Sequence, residues 1–164
     1  MDEQETLPYR TSGEDLQRFV SARARGRTMQ QIRSLFTSDP SFQGTTSAAE
    51  VLDLYDSTAE KLTPLGQELA SAEKDESQDV LLSAVLGYEA YELLLEAIFA
   101  SGISHEEEKE YTPLKWIESW WEDNGYGSSQ TNRDEGSTAF ANIVSFIDLG
   151  EYKQGRHGHP SRIE

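Results

Sequence analysis

The sequence has no cysteine among its 164 residues, few lysines and no long apolar run. Without cysteine, the chain can form no disulfide, no thiolate metal site and no cysteine nucleophile. No apolar run reaches the roughly 18 residues that a membrane span needs. The first five residues carry the wrong charge for a signal peptide. These absences predict a soluble, cytoplasmic protein with no membrane partner.

Motifs of catalysis are also missing. The chain has no G-x-S-x-G turn, P-loop, G-x-G-x-x-G or H-E-x-x-H segment. His157 and His159 form an H-x-H pair, but no third histidine or cysteine is in register, which favours a solvated loop over a metal site. Glu89, Glu92 and Glu96 share a helical face without the Glu-x-x-His that carboxylate metal sites add, which favours a solvent-facing stripe. We therefore expect no enzyme, no metal and no cofactor.

Charge is distributed unevenly along the chain. The 30 acidic and 14 basic side chains give a net charge of −16. Residues 34–132 contain 20 acids and 4 lysines, whereas the two flanking segments together contain 10 acids and 10 bases. An acidic middle is thus flanked by two basic ends, residues 10–33 and 153–164. Such acidity is explained by solubility, as in a halophilic cytoplasm.

Cap and turn signals predict a mainly helical chain. Residues 1–11 are polar and are expected to form a disordered lead-in. Ser12 is a helix cap and Gly26 a helix stop, while Thr28 and Gln31 form a capping-box pattern that begins a second helix. The short connection between the two helices predicts a helix–turn–helix corner.

Further elements follow from apolar spacing and from Thr-Pro, Gly and Asn signals. Helices are expected at 46–55, 64–72 and 78–100, from the Thr112-Pro113 pair onward, and from a cap at Thr131 or Asn132 to about 147. Residues 39–44 are expected to be a loop, 73–77 a charged linker, and 151–153 and 161–163 the arms of a hairpin. The predicted core comprises Leu16, Phe19, Ile32, Leu35, Leu52, Leu81, Val85, Tyr88, Leu95, Phe99, Ile117, Phe140, Ile143 and Ile147.

Three segments resemble parts of winged-helix proteins. Residues 131–164 combine an amphipathic helix, a glycine stop and a hairpin with a glycine-rich basic tip. Residues 61–69 (KLTPLGQEL) look like the segment that follows the wing in many prokaryotic regulators, and residues 26–32 (GRTMQQI) are similar to the first half of a helix–turn–helix unit. The resemblance implies a mainly α, winged-helix-like fold in which two small helical modules, 12–72 and 78–164, pack together, with a short C-terminal β-hairpin as the wing.

Tandem winged-helix pairs occur in archaeal and bacterial transcription regulators and in accessory modules of restriction and defence proteins. The resemblance therefore implies a DNA-associated protein, haloarchaeal in character, that binds duplex DNA through its basic ends. Residues 131–148 would be the recognition helix and 153–162 the wing, whose tip Arg156 would reach phosphates or the minor groove. The candidate DNA-binding residues are Arg18, Arg23, Arg25, Arg27, Arg33, Arg133, Lys153, Arg156 and Arg162.

Two departures from this pattern leave other functions open. Asp134 and Glu135 stand at the start of the expected recognition helix, where carboxylates repel phosphate. No lysine or arginine lies between residues 45 and 60. One alternative is a protein-interaction module on the same scaffold, whose tryptophans and acidic surface contact a partner chain or a second copy. Another is an acidic decoy that mimics nucleic acid.

Overall fold

A computed structural model describes residues 6–101, 112–149, 152–153 and 162–163. The described helices are α1 (Gly13–Ala24), α2 (Met29–Arg33), α3 (Asp39–Val51), α4 (Pro64–Ser71), α5 (Lys74–Leu86), α6 (Glu89–Ser101), α7 (Leu114–Asp123) and α8 (Gln130–Phe146). The described strands are β1 (Tyr55–Asp56), β2 (Lys61–Leu62), β3 (Thr112–Pro113), β4 (Tyr152–Lys153) and β5 (Arg162–Ile163). The prediction of a mainly helical fold with little sheet is confirmed.

Local cap signals position the first helices as expected. The Ser12 hydroxyl accepts a hydrogen bond from the Asp15 amide at 3.1 Å. Thr28 and Gln31 form the reciprocal capping box, with bonds of 2.9 and 3.2 Å. Gly26 follows α1 with φ of +80°, a conformation that favours glycine. The helix–turn–helix corner between α1 and α2 is thus encoded locally.

Two predicted connections are wrong because each is helical. Residues 39–44 belong to α3, since the Ser38 hydroxyl caps its first turn through the Ser41 amide at 3.2 Å and Pro40 lies at the helix start. Residues 73–77 are not a linker, because α5 begins at Lys74 with acidic residues in its first turn. The long helix expected over 78–100 is divided into α5 and α6, since Gly87 is the C-terminal cap of α5.

The described strands form two small antiparallel sheets. In the first, β1 pairs with β2, which confirms that Lys61-Leu62 is extended. In the second, the order is β3-β5-β4, with Ile163 of β5 opposite both Thr112 and Tyr152. The arms of the predicted tail hairpin are therefore paired. The helix expected from Thr112-Pro113 onward is present as α7, with Pro113 as its N-cap residue, but no side chain caps it and the pair itself forms β3.

The N-terminal segment, residues 6–11, is ordered against the helices, so the prediction of a disordered lead-in is wrong there. Leu7 is fully buried, and the Thr11 hydroxyl lies 2.9 Å from that of Thr45 in α3. Burial of an apolar side chain near the chain end holds the segment in place. Residues 1–5 lie outside the described part.

The predicted core residues are buried, with two exceptions. Leu35 is 39% exposed because α2 ends at Arg33 and the helical spacing does not continue. Phe99 is 70% exposed on the outer side of α6. Buried side chains from both halves of the chain join one hydrophobic cluster. The boundary between modules 12–72 and 78–164 stays a prediction.

The last helix begins slightly earlier than expected. Neither Thr131 nor Asn132 caps α8, because the Ser129 hydroxyl accepts from the Asn132 amide at 3.0 Å. Asn132 is thereby placed in the first turn with its side chain buried at 6% exposure. This placement frees its amide group for a long-range contact described below.

Candidate functional site

The first basic end contributes less open positive charge than its sequence suggests. Arg18 lies 3.5 Å from the Asp15 carboxylate and over the Phe36 ring, 5.9 Å from its centroid. Arg33 forms an ion pair with Asp39 at the start of α3. These two arginines are exposed, but each faces a carboxylate that competes with a phosphate.

Arg23 has a structural role. Its Nη1 donates to the Arg27 carbonyl at 2.8 Å, and its Nη2 donates to the Glu60 carbonyl at 2.6 Å. The guanidinium thus joins the end of α1 to the turn between β1 and β2. Sequence reasoning could not predict this contact, because Glu60 lies 37 positions away.

Arg25 and Arg27 are the open cations of this region. Both are exposed at the α1–α2 corner, and within the described ranges neither side chain forms a hydrogen bond or an ion pair. Of the five candidates in residues 18–33, these two are the ones that can meet a phosphate without first leaving a partner.

The second basic end is only partly described. Lys153 and Arg162 are opposite each other in the β4–β5 pair, so the fold brings these two candidates together. Arg133 is half-buried, with Nη2 3.5 Å from the Gln130 side-chain oxygen. Arg156, the proposed wing tip, lies outside the described residues.

Helix α8, the expected recognition helix, is covered by the N-terminal segment. The Leu7 amide donates to Asn132 Oδ1 at 2.9 Å, and Asn132 Nδ2 donates to the Leu7 carbonyl at 3.1 Å. One turn further along α8, the Arg10 guanidinium lies 3.0 Å from the Glu135 carboxylate. A buried side chain and an ion pair thus attach the segment to the first two turns of α8.

Close backbone packing continues this cover along the helix. A Cβ atom at Gly136 would lie 3.3 Å from the Leu7 side chain, so the N-terminal segment approaches the α8 backbone directly. At the far end of α8, a side chain at Gly13 would overlap Phe146. The glycines therefore permit the N-terminal segment and α1 to lie on α8, and sequence reasoning missed this although Gly136 inside a helix was a signal.

A polar cleft of about 550 Å³ lies beside the covered face, between the starts of α1 and α3 and the remaining strip of α8. Carboxylates line it from two helices, Asp15 from α1 and Asp134 and Glu135 from α8, together with Arg10 and Asn142. The strip of α8 that is still accessible therefore presents negative charge, which disfavours a phosphate backbone.

Helix α6 differs from α8 because its outer face is exposed to solvent. We define this outer face as Glu89, Glu92, Leu93, Glu96 and Phe99, all of which are exposed. Leu93 is 37% and Phe99 is 70% exposed. The three glutamates form no ion pair with any residue in the described ranges. The prediction of a solvent-facing glutamate stripe is confirmed, and the two apolar side chains beside it were not foreseen.

The tryptophans do not form an exposed aromatic surface. Trp121 is fully buried against Tyr91 and Phe140, while Trp116 and Trp120 are half-buried. Burial raises the pKa of the Tyr91 hydroxyl well above its usual value. Core packing therefore accounts for the tryptophans, and among the described residues of this half the large exposed aromatic side chain is Phe99.

No group of three or more His, Asp or Glu side chains that could hold a metal ion occurs among the described residues. His157 and His159 lie outside them. Within the same ranges, no helix has the length and hydropathy to span a bilayer. Comparisons of the chain with protein-family models, with curated proteins and with solved structures find no match.

Proposed function

We propose that this protein is an interaction module that binds another protein through a tandem winged-helix scaffold. The order of elements supports the scaffold. In the first half, α1, α2 and α3 precede the β1–β2 hairpin, and in the second half α6, β3, α7 and α8 precede the β4–β5 hairpin. The central position of β5, between β3 and β4, joins the strand before α7 and the C-terminal strand pair in one antiparallel sheet.

The observation that carries the proposal is the cover on α8. A recognition helix has to offer one face to the major groove. Here Asn132 and Glu135 hold the N-terminal segment on α8, and Gly136 lies against Leu7. The accessible strip beside the cover carries Asp134. A duplex could reach the covered face of this helix only after the N-terminal segment had left it.

The distribution of charge supports a protein partner in the same way. The net charge of −16 repels a polyanion at long range. Arg18, Arg23 and Arg33 already have partners inside the fold. Of the five candidate arginines in residues 18–33, only Arg25 and Arg27 remain without a partner in the described part of the chain to release counterions from a duplex, which is the main source of non-specific affinity for DNA.

The proposal is tested by quantitative enrichment of proteins on the immobilised full chain from two lysates of its own source, one treated with nuclease and one untreated. We expect a protein retained in stoichiometric amount, equally with and without nuclease, and displaced by excess soluble chain. Loss of the retained protein after nuclease treatment, or absence of any protein that the soluble chain displaces, would contradict the proposal.

Duplex binding is the second candidate, and the exposed Arg25 and Arg27 favour it. Fluorescence anisotropy with a labelled mixed-sequence duplex at low salt measures it directly. We expect no saturable binding below about 100 μM, a weak limit for non-specific binders. Tighter binding that Arg25→Gln and Arg27→Gln abolish would establish this second candidate in place of the first.

A further inference from the structure

We infer that the outer face of α6 is the docking site, and that it binds a basic amphipathic segment of the partner protein. This inference rests on the proposed function and names the surface and the chemistry of the partner. It is carried by the arrangement of apolar and acidic side chains on one helix.

The outer face has an ordered layout. With about 3.6 residues per turn, Leu93 and Phe99 lie on opposite borders of the exposed face, and Glu89, Glu92 and Glu96 lie between or beside them. Ala90, Tyr91, Leu94 and Leu95 form the opposite, buried side of the same helix. The layout therefore offers two apolar contacts separated by a row of carboxylates.

Leu93 and Phe99 expose two apolar side chains on the same face of one helix. Single exposed apolar residues are ordinary on protein surfaces. Here Phe99, at 70% exposure, shares one short helix with Leu93, at 37%. An exposed aromatic side chain such as Phe99 is a type of residue that anchors a partner, because aromatic residues are enriched at interfaces and a few buried anchors contribute most of the binding energy.

Charge complementarity identifies the occupant. Glu89, Glu92 and Glu96 have no cationic partner in the described part of the chain. A segment with lysine or arginine beside its apolar residues would pair with these carboxylates while its apolar side chains contact Leu93 and Phe99. A second copy docked face to face would instead place three glutamates opposite three glutamates, which is repulsive.

The probe for this inference is an amphipathic helical peptide of leucine and lysine, about five turns long. Two control peptides keep its length, one with glutamate in place of lysine and one with serine in place of leucine. Binding to the full chain is measured by titration calorimetry at about 0.1 M salt, where charges beyond about 10 Å are screened. We expect only the leucine–lysine peptide to bind well. Equal binding by the glutamate or the serine peptide would overturn the inference.

Two pairs of variants separate this site from general attraction of a cation to an acidic protein. Leu93→Ser with Phe99→Ser should weaken peptide binding at least about ten-fold. Its matched control, Leu35→Ser with Leu149→Ser, changes two leucines of 39% and 40% exposure elsewhere and should leave binding within about two-fold. Circular dichroism checks that both double variants are folded.

The contribution of the carboxylates is tested with a triple variant and a matched control triple variant. The triple variant Glu89→Gln, Glu92→Gln and Glu96→Gln should weaken binding about five-fold. The control triple variant Glu68→Gln, Glu76→Gln and Asp79→Asn, in the acidic groove between α4 and α5, should change binding less than about two-fold. Equal weakening by both triple variants would show general electrostatics and overturn the assignment of the site.

Retention of the partner protein from the source lysate distinguishes failure of this inference from failure of the proposed function. If Leu93→Ser with Phe99→Ser still retains the partner, α6 is not the site and the interaction function stands. If sedimentation shows self-association that this double variant abolishes, a second copy occupies the face and the basic partner is wrong. If no source protein is retained by either chain, the interaction function itself fails.

Discussion

Helices α6 and α8 show opposite relations between composition and burial. Helix α6 is rich in leucine, yet Leu93 and Phe99 are exposed on its outer face. Helix α8 begins with polar residues, yet Asn132 and Ser137 are buried within it. Composition predicts how much of a helix is apolar, whereas tertiary contacts decide which side is covered. Tertiary contacts, rather than motif content, therefore decide which side of α6 and which side of α8 a partner could reach.

The largest expected effect comes from truncating a side chain on the buried side of α8. Phe140 is fully buried on α8, with its ring 5.0 Å from that of Tyr91 and 6.1 Å from that of Trp121. Phe140→Ala should lower the free energy of unfolding by about 3–5 kcal/mol, because it leaves a cavity among aromatic rings. Phe99→Ala on the outer face should change it by less than about 0.5 kcal/mol.

Urea unfolding of the two variants, followed by circular dichroism, measures both values. A loss under about 1 kcal/mol for Phe140→Ala, a small value for a truncated core aromatic, would mean that this side of α8 is not packed as described. A loss for Phe99→Ala as large as that for Phe140→Ala would mean that the outer face of α6 is covered within the chain.

The contact between Asn132 and Leu7 is expected to have the next largest effect. Asn132→Ala removes both hydrogen bonds to the Leu7 backbone. The buried amide and carbonyl of Leu7 then lose this partner. The free energy of unfolding should fall by about 1–3 kcal/mol. Asn142→Ala, a half-buried position on the same helix, should change it by less than about 0.5 kcal/mol. Hydrogen exchange at the Leu7 amide is the specific readout, and unchanged exchange in Asn132→Ala would refute the contact.

Cap signals explain how much of the fold could be predicted. Ser12, Thr28 and Thr63 each bond to an amide three residues away, so the sequence predicted those helix starts from local chemistry. Thr112-Pro113-Leu114 repeats the Thr63-Pro64-Leu65 triplet, and a helix, α7, again starts there, at Leu114. No side chain caps α7, however, and Thr112 and Pro113 form β3, in which Thr112 pairs with Ile163, 51 positions away. Long-range pairing therefore takes the place of the local cap, while the helix itself remains.

The candidate site was predicted in part for the same reason. The glutamate stripe on α6 follows from helical spacing alone. The cover on α8 does not, because it depends on Leu7 and Asn132, which are 125 positions apart. Arg23 illustrates the same limit, since its partner carbonyl belongs to a turn that the charge pattern does not indicate.

Salt should separate the stability of the fold from its recognition of charged ligands. With a net charge of −16 the folded chain repels itself, and the Debye length falls from about 10 Å at 0.1 M to about 3 Å at 1 M. We expect the melting temperature to rise over this range. Affinity for a basic peptide, or for DNA if any exists, should fall. A melting temperature that is flat or falls would contradict the role of self-repulsion.

The smallest expected effect concerns Glu118 of α7, which lies near the start of α8. Burial raises the pKa of its carboxyl, opposed by Lys115 at 3.7 Å, and Gln130 donates to it at 3.2 Å. A raised pKa in the folded state means that stability decreases as pH rises through that pKa. Glu118→Gln keeps an oxygen that accepts the hydrogen bond from Gln130 and should remove this decrease. The free energy of unfolding of the variant should therefore rise relative to that of the native chain between acidic and neutral pH. Parallel curves of unfolding free energy against pH would contradict this.

The cover on α8, the helix that the sequence predicted to be the recognition helix, is tested most directly by chemical-shift mapping of the ¹⁵N-labelled full chain with a mixed-sequence duplex and with the leucine–lysine peptide. The account predicts that the peptide shifts the amides of α6 around Leu93, while the duplex leaves those of α8 and Leu7 unchanged. Duplex-induced shifts along α8, together with loss of the Leu7–Asn132 contact, would show that the helix opens to DNA and would contradict the account.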